Sequence, residues 1–268
     1  MCKYRDLNLW LPQKFTSAAW EQELQAAADH GIRLRLLPLE SCREALPHLE
    51  RTNGQIHLIG APTDMKIQCV AKGTQSFLLK GIPAETASRI YDALWPRHPL
   101  YHVEKDALPQ LRETFLPGMT TYRCTPARDG IRVQFFTIPG DTSSVLCQRL
   151  RDAIQSTGLP TPEILSENEA PPLRYPLSPE LLETLMQVYL ARSGRGPNFE
   201  WEQTGEYLRL FSGYAASNVF AVGPGYPADA LRPVYSENFP PAKLSFTSEY
   251  RHFLKQFVQE LSAHCAWT

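Results

Sequence analysis

The stretch DLNLWLPQKFTSAAWEQELQAAADHGIRLRLLPL, residues 6–39, decides how this chain is read. Its first six residues, Asp6–Leu11, are apolar and alternating enough for a strand. Ser17 is placed to cap a helix carrying Trp20, Leu24, Ala27 and Ala28 on one face, and Gly31 falls just past its end. Residues 32–39 then set Arg33 and Arg35 against Ile32, Leu34 and Leu36, the pattern of a half-exposed strand. The chain therefore opens with strand, helix, strand.

Working outward, a short helix over residues 42–51 closes at Asn53-Gly54. Strand-like runs follow at 55–59, 66–71 and 76–80, with Lys72-Gly73-Thr74 reading as a hairpin loop between the last two. Pro83 opens a helix lined by Ala87, Ile90, Tyr91 and Leu94, Pro96 ends it, and residues 100–103 make one more strand. The order predicts a ferredoxin-like βαββαβ unit with a helical insertion. Beyond Met119, strands at 120–124 and 131–138 flank Arg128-Asp129-Gly130, a hairpin signal. Asp141 is placed to cap a helix with Val145, Leu146, Leu150, Ala153 and Ile154 inward. Ser178-Pro179 opens a helix with Leu181, Leu185, Val188 and Tyr189, and residues 199–201 and 207–211 read as strands. Tyr250, Phe253, Leu254, Phe257, Val258 and Leu261 keep an unbroken helical spacing and mark a core or docking stripe. The fold class expected is α+β, two ferredoxin-like (RRM-type) halves with helical insertions. They span residues 1–108 and 118–268, with a proline-rich linker at 159–179.

Composition sets limits on function. The 268 residues carry 27 basic and 28 acidic side chains, a net charge of −1. That balance counts against a large nucleic-acid footprint but leaves room for a local basic groove. No apolar run reaches membrane-span length and the first residues lack a secretory pattern, so a soluble cytoplasmic protein with no membrane partner is expected. The six cysteines stand singly, without the spacing of a zinc or redox pair, and read as reduced thiols. GxSxG, HExxH, GxxxxGK[ST] and GxGxxG are absent, which disfavours the commonest hydrolases, kinases and dinucleotide enzymes.

What remains is scattered single residues. His30 is either a general acid–base group or a histidine favoured by the end of the first helix. His98 and His102 are four apart but separated by a proline, and no metal or other cofactor is expected. Arg33, Arg35, Arg43 and Arg51 form one set of guanidinium groups, and Arg149, Arg151, Arg192 and Arg195 a second. Such groups grip phosphates, or else form solvated faces beside carboxylates. Gly223-Pro224-Gly225-Tyr226 offers close backbone approach and a stacking ring, or is an ordinary turn.

The N-terminal strand, a histidine late in the first helix, the loop at Gly223 and Gly225, and the run QTGEYLRLF at 203–211 together resemble the CRISPR repeat-processing endoribonucleases of the RAMP superfamily. The resemblance implies metal-independent cleavage of a repeat RNA by its own 2′-hydroxyl. His30 would be the general base, and Arg33 and Arg35 would steady the phosphate. Arg43, Arg51, Arg149, Arg151, Arg192, Arg195, Gly223, Gly225 and Tyr226 would hold the RNA hairpin. The product would stay bound beside other effector-complex subunits. A second likeness, over 76–94 and 134–154, is to phosphothreonine lyases. Two further expectations compete: a non-catalytic protein-binding module using Trp10, Trp201 and Trp267, and a modifying enzyme binding phosphate through Lys66 and Lys80.

Overall fold

The computed structural model describes residues 4–28, 31–49, 54–61, 63–94, 100–101, 118–202, 206–214, 217–224 and 248–266. The first part of the chain gives β1 (Asp6–Leu11), α1 (Ala18–Ala27), β2 (Arg33–Pro38), α2 (Cys42–Ala45), β3 (Gln55–Gly60) and β4 (Ile67–Ala71). Next come β5 (Gly73–Lys80), α3 (Ala87–Leu94), β6 (Leu100–Tyr101), β7 (Gly118–Met119), β8 (Thr121–Ala127), β9 (Gly130–Thr137), α4 (Ser143–Thr157) and β10 (Glu163–Ala170). The chain then runs through β11 (Leu173–Arg174), α5 (Pro179–Ser193), β12 (Phe199–Glu202), α6 (Glu206–Arg209), β13 (Val219–Val222) and α7 (Ser248–Ala266).

Two main sheets result. The larger has seven strands in the order β11-β4-β13-β3-β1-β2, with β12 beside β4. Its centre is parallel: β1 pairs both β2 and β3, and β13 pairs β3. Parallel strands covered on both faces bury every residue, and β1 and β13 are buried throughout. One face, through Leu7, Leu9 and Leu11, packs on α1, α5 and α7. The other, through Trp10, Ile59 and Ala221, packs on Leu39, Cys42, Leu46, Leu208 and Phe211. The α7 stripe of Tyr250, Phe253, Leu254, Phe257, Val258 and Leu261 is fully buried in the first of these cores. The outer edge of β2 is closed by side chains of α1. Gln25 accepts from the Leu34 amide at 3.0 Å and donates to the Ile32 carbonyl at 3.0 Å, and Glu21 accepts from the Leu36 amide at 3.0 Å.

The smaller sheet, β10-β5-β9-β8, is antiparallel and packs on α3 and α4 around Phe77, Leu79, Ile131, Val133 and Phe135. In chain order it reads β5-α3-β8-β9-α4-β10, a single βαββαβ unit whose strands come from residues 73–170. A two-residue ladder joins β6 and β7.

The architecture is thus α/β, and the two expected ferredoxin-like halves are corrected by it. Local alternation does not distinguish parallel from antiparallel pairing, and β1 registers Asp6 with both Arg33 and Gln55. Lys72-Gly73-Thr74 is no hairpin, because β4 and β5 lie in different sheets. Gly73 is there for crowding: a Cβ would lie 2.6 Å from the Ala170 carbonyl oxygen and 2.7 Å from the Pro172 nitrogen. Arg209 donates to the carbonyls of Lys72 and Pro171, each at 2.9 Å, and so pins both chain crossings between the sheets. Residues 206–209 form a helix rather than the expected strand, because the buried Glu202 carboxylate accepts the Tyr207 and Leu208 amides at 2.6 and 3.0 Å. Thr142, not Asp141, caps α4, and Asp141 instead accepts from the Ile138 amide at 3.1 Å. Within 159–179, residues 163–170 form β10 against β5. Among the described residues, no helix is long and apolar enough to cross a membrane.

Candidate functional site at the carboxyl ends of the parallel strands

The chain leaves β1 toward α1 and β2, but leaves β3 in the opposite direction, past β13 toward β4. In open α/β sheets a ligand crevice forms at such a divergence, outside the carboxyl ends of the strands. Beyond the carboxyl end of β3 lies the turn Thr63-Asp64-Met65. Thr63 Oγ1 accepts from the Gly223 amide at 3.0 Å and donates to its carbonyl at 3.3 Å. The Met65 amide donates to the same carbonyl at 2.6 Å, and Tyr189 Oη donates to the Met65 carbonyl. Gly223 permits this because a Cβ there would overlap the Ala61 carbonyl. Asp64 and Met65 take φ of 54° and 57°, the left-handed region that L residues enter at a cost. Asp64 is exposed, and its carboxylate bonds to no described residue. On the near side, after β1, the Gln13 amide donates to Glu40 Oε2 at 2.9 Å, and Lys14 Nζ lies 4.8 Å from the Phe15 ring centroid.

A second polar feature lies in the amino-terminal half of the sheet, on the face of Trp10. Alternation puts Asp6 and Asn8 on that face, with Arg33–Asp6–Gln55 and Arg35–Asn8–His57 in register across β2, β1 and β3. Asp6 Oδ1 lies 3.5 Å from Arg33 Nε and 3.8 Å from Arg35 Nη2. Asn8 is 0% exposed, and neither of its amide atoms has a hydrogen bond; Asp6 Oδ1 and Arg35 Nη1 are buried and unbonded too. His57 Nδ1 accepts from Trp10 Nε1 at 3.2 Å, which leaves the ring proton on Nε2. Burial pushes the His57 pKa down to about 4, so the ring is neutral at pH 7. Between the sheets, Lys72 is 2% exposed and donates to Thr121 Oγ1 at 3.1 Å. Burial pushes its pKa down to about 8.

The residues singled out from sequence are described only in part. His30, Arg51, Gly225 and Tyr226 lie outside the described residues, as do His98 and His102. Arg33 and Arg35 share Asp6. Arg43 is exposed on α2. Arg149, on α4, lies 3.7 Å from Asp141, and Arg151 is exposed on the same helix. Arg192 pairs with Glu249 at the end of α5, and Arg195 is exposed just beyond. Gly223 is a buried packing glycine rather than part of an open loop. Sequence reasoning missed Asp6, Asn8, Lys72 and the Thr63–Met65 turn. The only available signals were an asparagine inside an apolar strand and the break APTDM after β3.

No family model matches this chain, and no curated protein matches it. Among solved structures it is similar to human carnosine dipeptidase 1, with a TM-score of 0.52 and 8% identity over 97% of this chain and 80% of that one. It also matches a tripeptidase from Staphylococcus aureus (TM-score 0.49, 11% identity, 98% of this chain and 82% of that one). A third match is the M20 family metallo-carboxypeptidase Sso-CP2 from Sulfolobus solfataricus (TM-score 0.48, 11% identity, 98% and 86%). The dipeptidase likeness defines the fold. It overturns the RAMP resemblance and the RNA-hairpin cleavage drawn from it, and the RNA-binding, nuclease, CRISPR and antiviral-defence readings go with it. The phosphothreonine-lyase layout falls as well, because 76–94 and 134–154 belong to one βαββαβ unit.

A metallopeptidase-type centre was tested against the donors present. Among the described residues, no three His, Cys, Asp or Glu side chains are grouped to hold a metal ion. The end of β3 supplies Asp64 alone, and one carboxylate is a poor site for a divalent ion. The described residues therefore do not fit such a centre.

Proposed function

We propose that this chain recognises short peptides or related small amides in the crevice beyond the carboxyl ends of β1 and β3. The observation that carries this reading is the fold likeness to a dipeptidase over 97% of the chain. The divergence of β1 and β3 supports it, since that is where open α/β sheets bind ligands. Fold alone does not assign chemistry, so the reading is one of recognition. The test is thermal shift and calorimetry on the full chain with a panel of dipeptides, tripeptides and N-acyl amino acids. The panel is run with and without added zinc, and products are followed by mass spectrometry. A saturable rise in melting temperature with one class of peptide is expected. A panel in which no member shifts the transition overturns the reading.

A further inference from the structure

Buried polar side chains elsewhere in the fold find partners. Asn218 Oδ1 accepts from the Ser178 amide at 2.9 Å, Gln75 donates to Ser166 Oγ at 2.9 Å, and the Glu202 carboxylate holds the Tyr207 and Leu208 amides. The row on the Trp10 face of β1 breaks this rule. Among the described residues, Asn8 alone has both side-chain polar atoms buried and unbonded, and Asp6 Oδ1 and Arg35 Nη1 are orphaned beside it. Strand geometry gathers the three. Arg35 is in register with Asn8 one strand away, about 5 Å, and Asp6 is two residues back on the same face, roughly 7 Å. Arg35 Nη2 stands 3.8 Å from Asp6 Oδ1, beyond hydrogen-bond length, so the ion pair is loose.

The free atoms define what they would accept. Asn8 Nδ2 and Arg35 Nη1 donate, and Asn8 Oδ1 and Asp6 Oδ1 accept. The adjacent guanidinium rules out a metal cation, and an apolar molecule would leave every one of these atoms unpaired. A fully deprotonated anion would set lone pairs against the two acceptors. Arg33 and Arg35 against Asp6 leave one positive charge in excess. We propose that this row binds a small monoanion of an oxyacid that keeps one O–H, of the bicarbonate class. Its bare oxygens accept from Arg35 and Asn8, and its O–H donates to Asn8 Oδ1 or Asp6 Oδ1. β2 is an edge strand, and the Arg33 and Arg35 side chains are 64% and 24% exposed there. The ion enters past them, with Arg35 swinging aside from its loose contact with Asp6. The site stands at the opposite end of the strands from the peptide crevice and does not depend on that reading.

Calorimetry on the full chain compares bicarbonate with acetate, which has the same charge but no O–H, and with urea, which has donors and an acceptor but no charge. Bicarbonate should bind saturably, and acetate and urea about tenfold more weakly or worse. Asn8→Leu should weaken bicarbonate by a similar factor while melting no lower than the parent. Arg35→Gln, at a partly exposed position, should weaken it likewise and decides the matter if the leucine variant does not fold. The proposal is overturned if the parent fails to bind bicarbonate, or if acetate or urea binds equally well. It is overturned too if a folded variant binds like the parent, which would mean an adventitious ion only, resting on exposed Arg33.

Discussion

The amino-terminal half of the seven-stranded sheet and its carboxyl end carry their costs in different forms. Around Asn8 the backbone is regular β-strand, but four buried polar atoms on Asp6, Asn8 and Arg35 lack hydrogen bonds. Around Thr63-Asp64-Met65 nearly the reverse holds. Hydrogen bonds are dense, shared among Thr63, Met65, Gly223 and Tyr189, while the backbone sits twice in the left-handed region. Desolvated side chains can be relieved by water or a bound group, whereas a strained turn is relieved only by changing residue. The first region therefore responds to its solvent environment and the second to substitution.

The largest expected effect tests how tightly the carboxyl end is packed. Gly223→Ala forces a methyl group into the Ala61 carbonyl and should cost about 3 kcal/mol or more in urea unfolding. A loss below about 1 kcal/mol would mean that the turn can slide and is not rigid.

Next is the pH response of the amino-terminal row. His57 titrates at about 4 when folded and near 6.5 when unfolded. In that window the unfolded chain binds more protons, so stability must fall as pH drops from 6.5 toward 4. It should change little through this group above 6.5. The loss reaches about 3 kcal/mol by pH 4. Urea midpoints of the parent and of His57→Phe across this range should diverge, with the variant the flatter. Parallel curves would show that the imidazole is not the titrating group.

Asn8→Leu comes third. Removing two unbonded polar atoms at nearly constant volume should raise stability by about 1–3 kcal/mol. A destabilised variant would instead mean that water or another group serves the amide in solution. The smallest effect is Asp64→Gly, which relieves the left-handed strain and should stabilise by about 1 kcal/mol. No change in melting temperature there would remove the contrast between the two regions.

Much of the local structure was legible in the sequence. Ser17 and Ser178 cap the helices they were expected to open, and the aromatic stripe of α7 is buried as its spacing foretold. Each of these signals is local, acting within a turn or two of helix. Pairing partners are not local, and β1 reads the same whether its neighbours run parallel or antiparallel. Gly73 looked like a turn residue because crowding by a distant strand selects the same amino acid as positive φ does. The capping of α6 depends on a carboxylate in the preceding strand, buried by contacts that composition does not reveal. The candidate site was illegible for a related reason. Asp64 matters through a backbone conformation imposed by Gly223 and Tyr189, residues 159 and 125 positions away.

The double grip of Arg209 has one more consequence. The polypeptide enters the four-stranded unit at Lys72 and exits it at Pro171, and a single guanidinium fastens both points. Because Thr74 and Ala170 face each other in register, the two tethers stand side by side, like the stem of a hairpin enlarged to carry nearly a hundred residues. An insert mounted on so narrow a stalk can be lengthened, trimmed or exchanged without re-registering the host sheet.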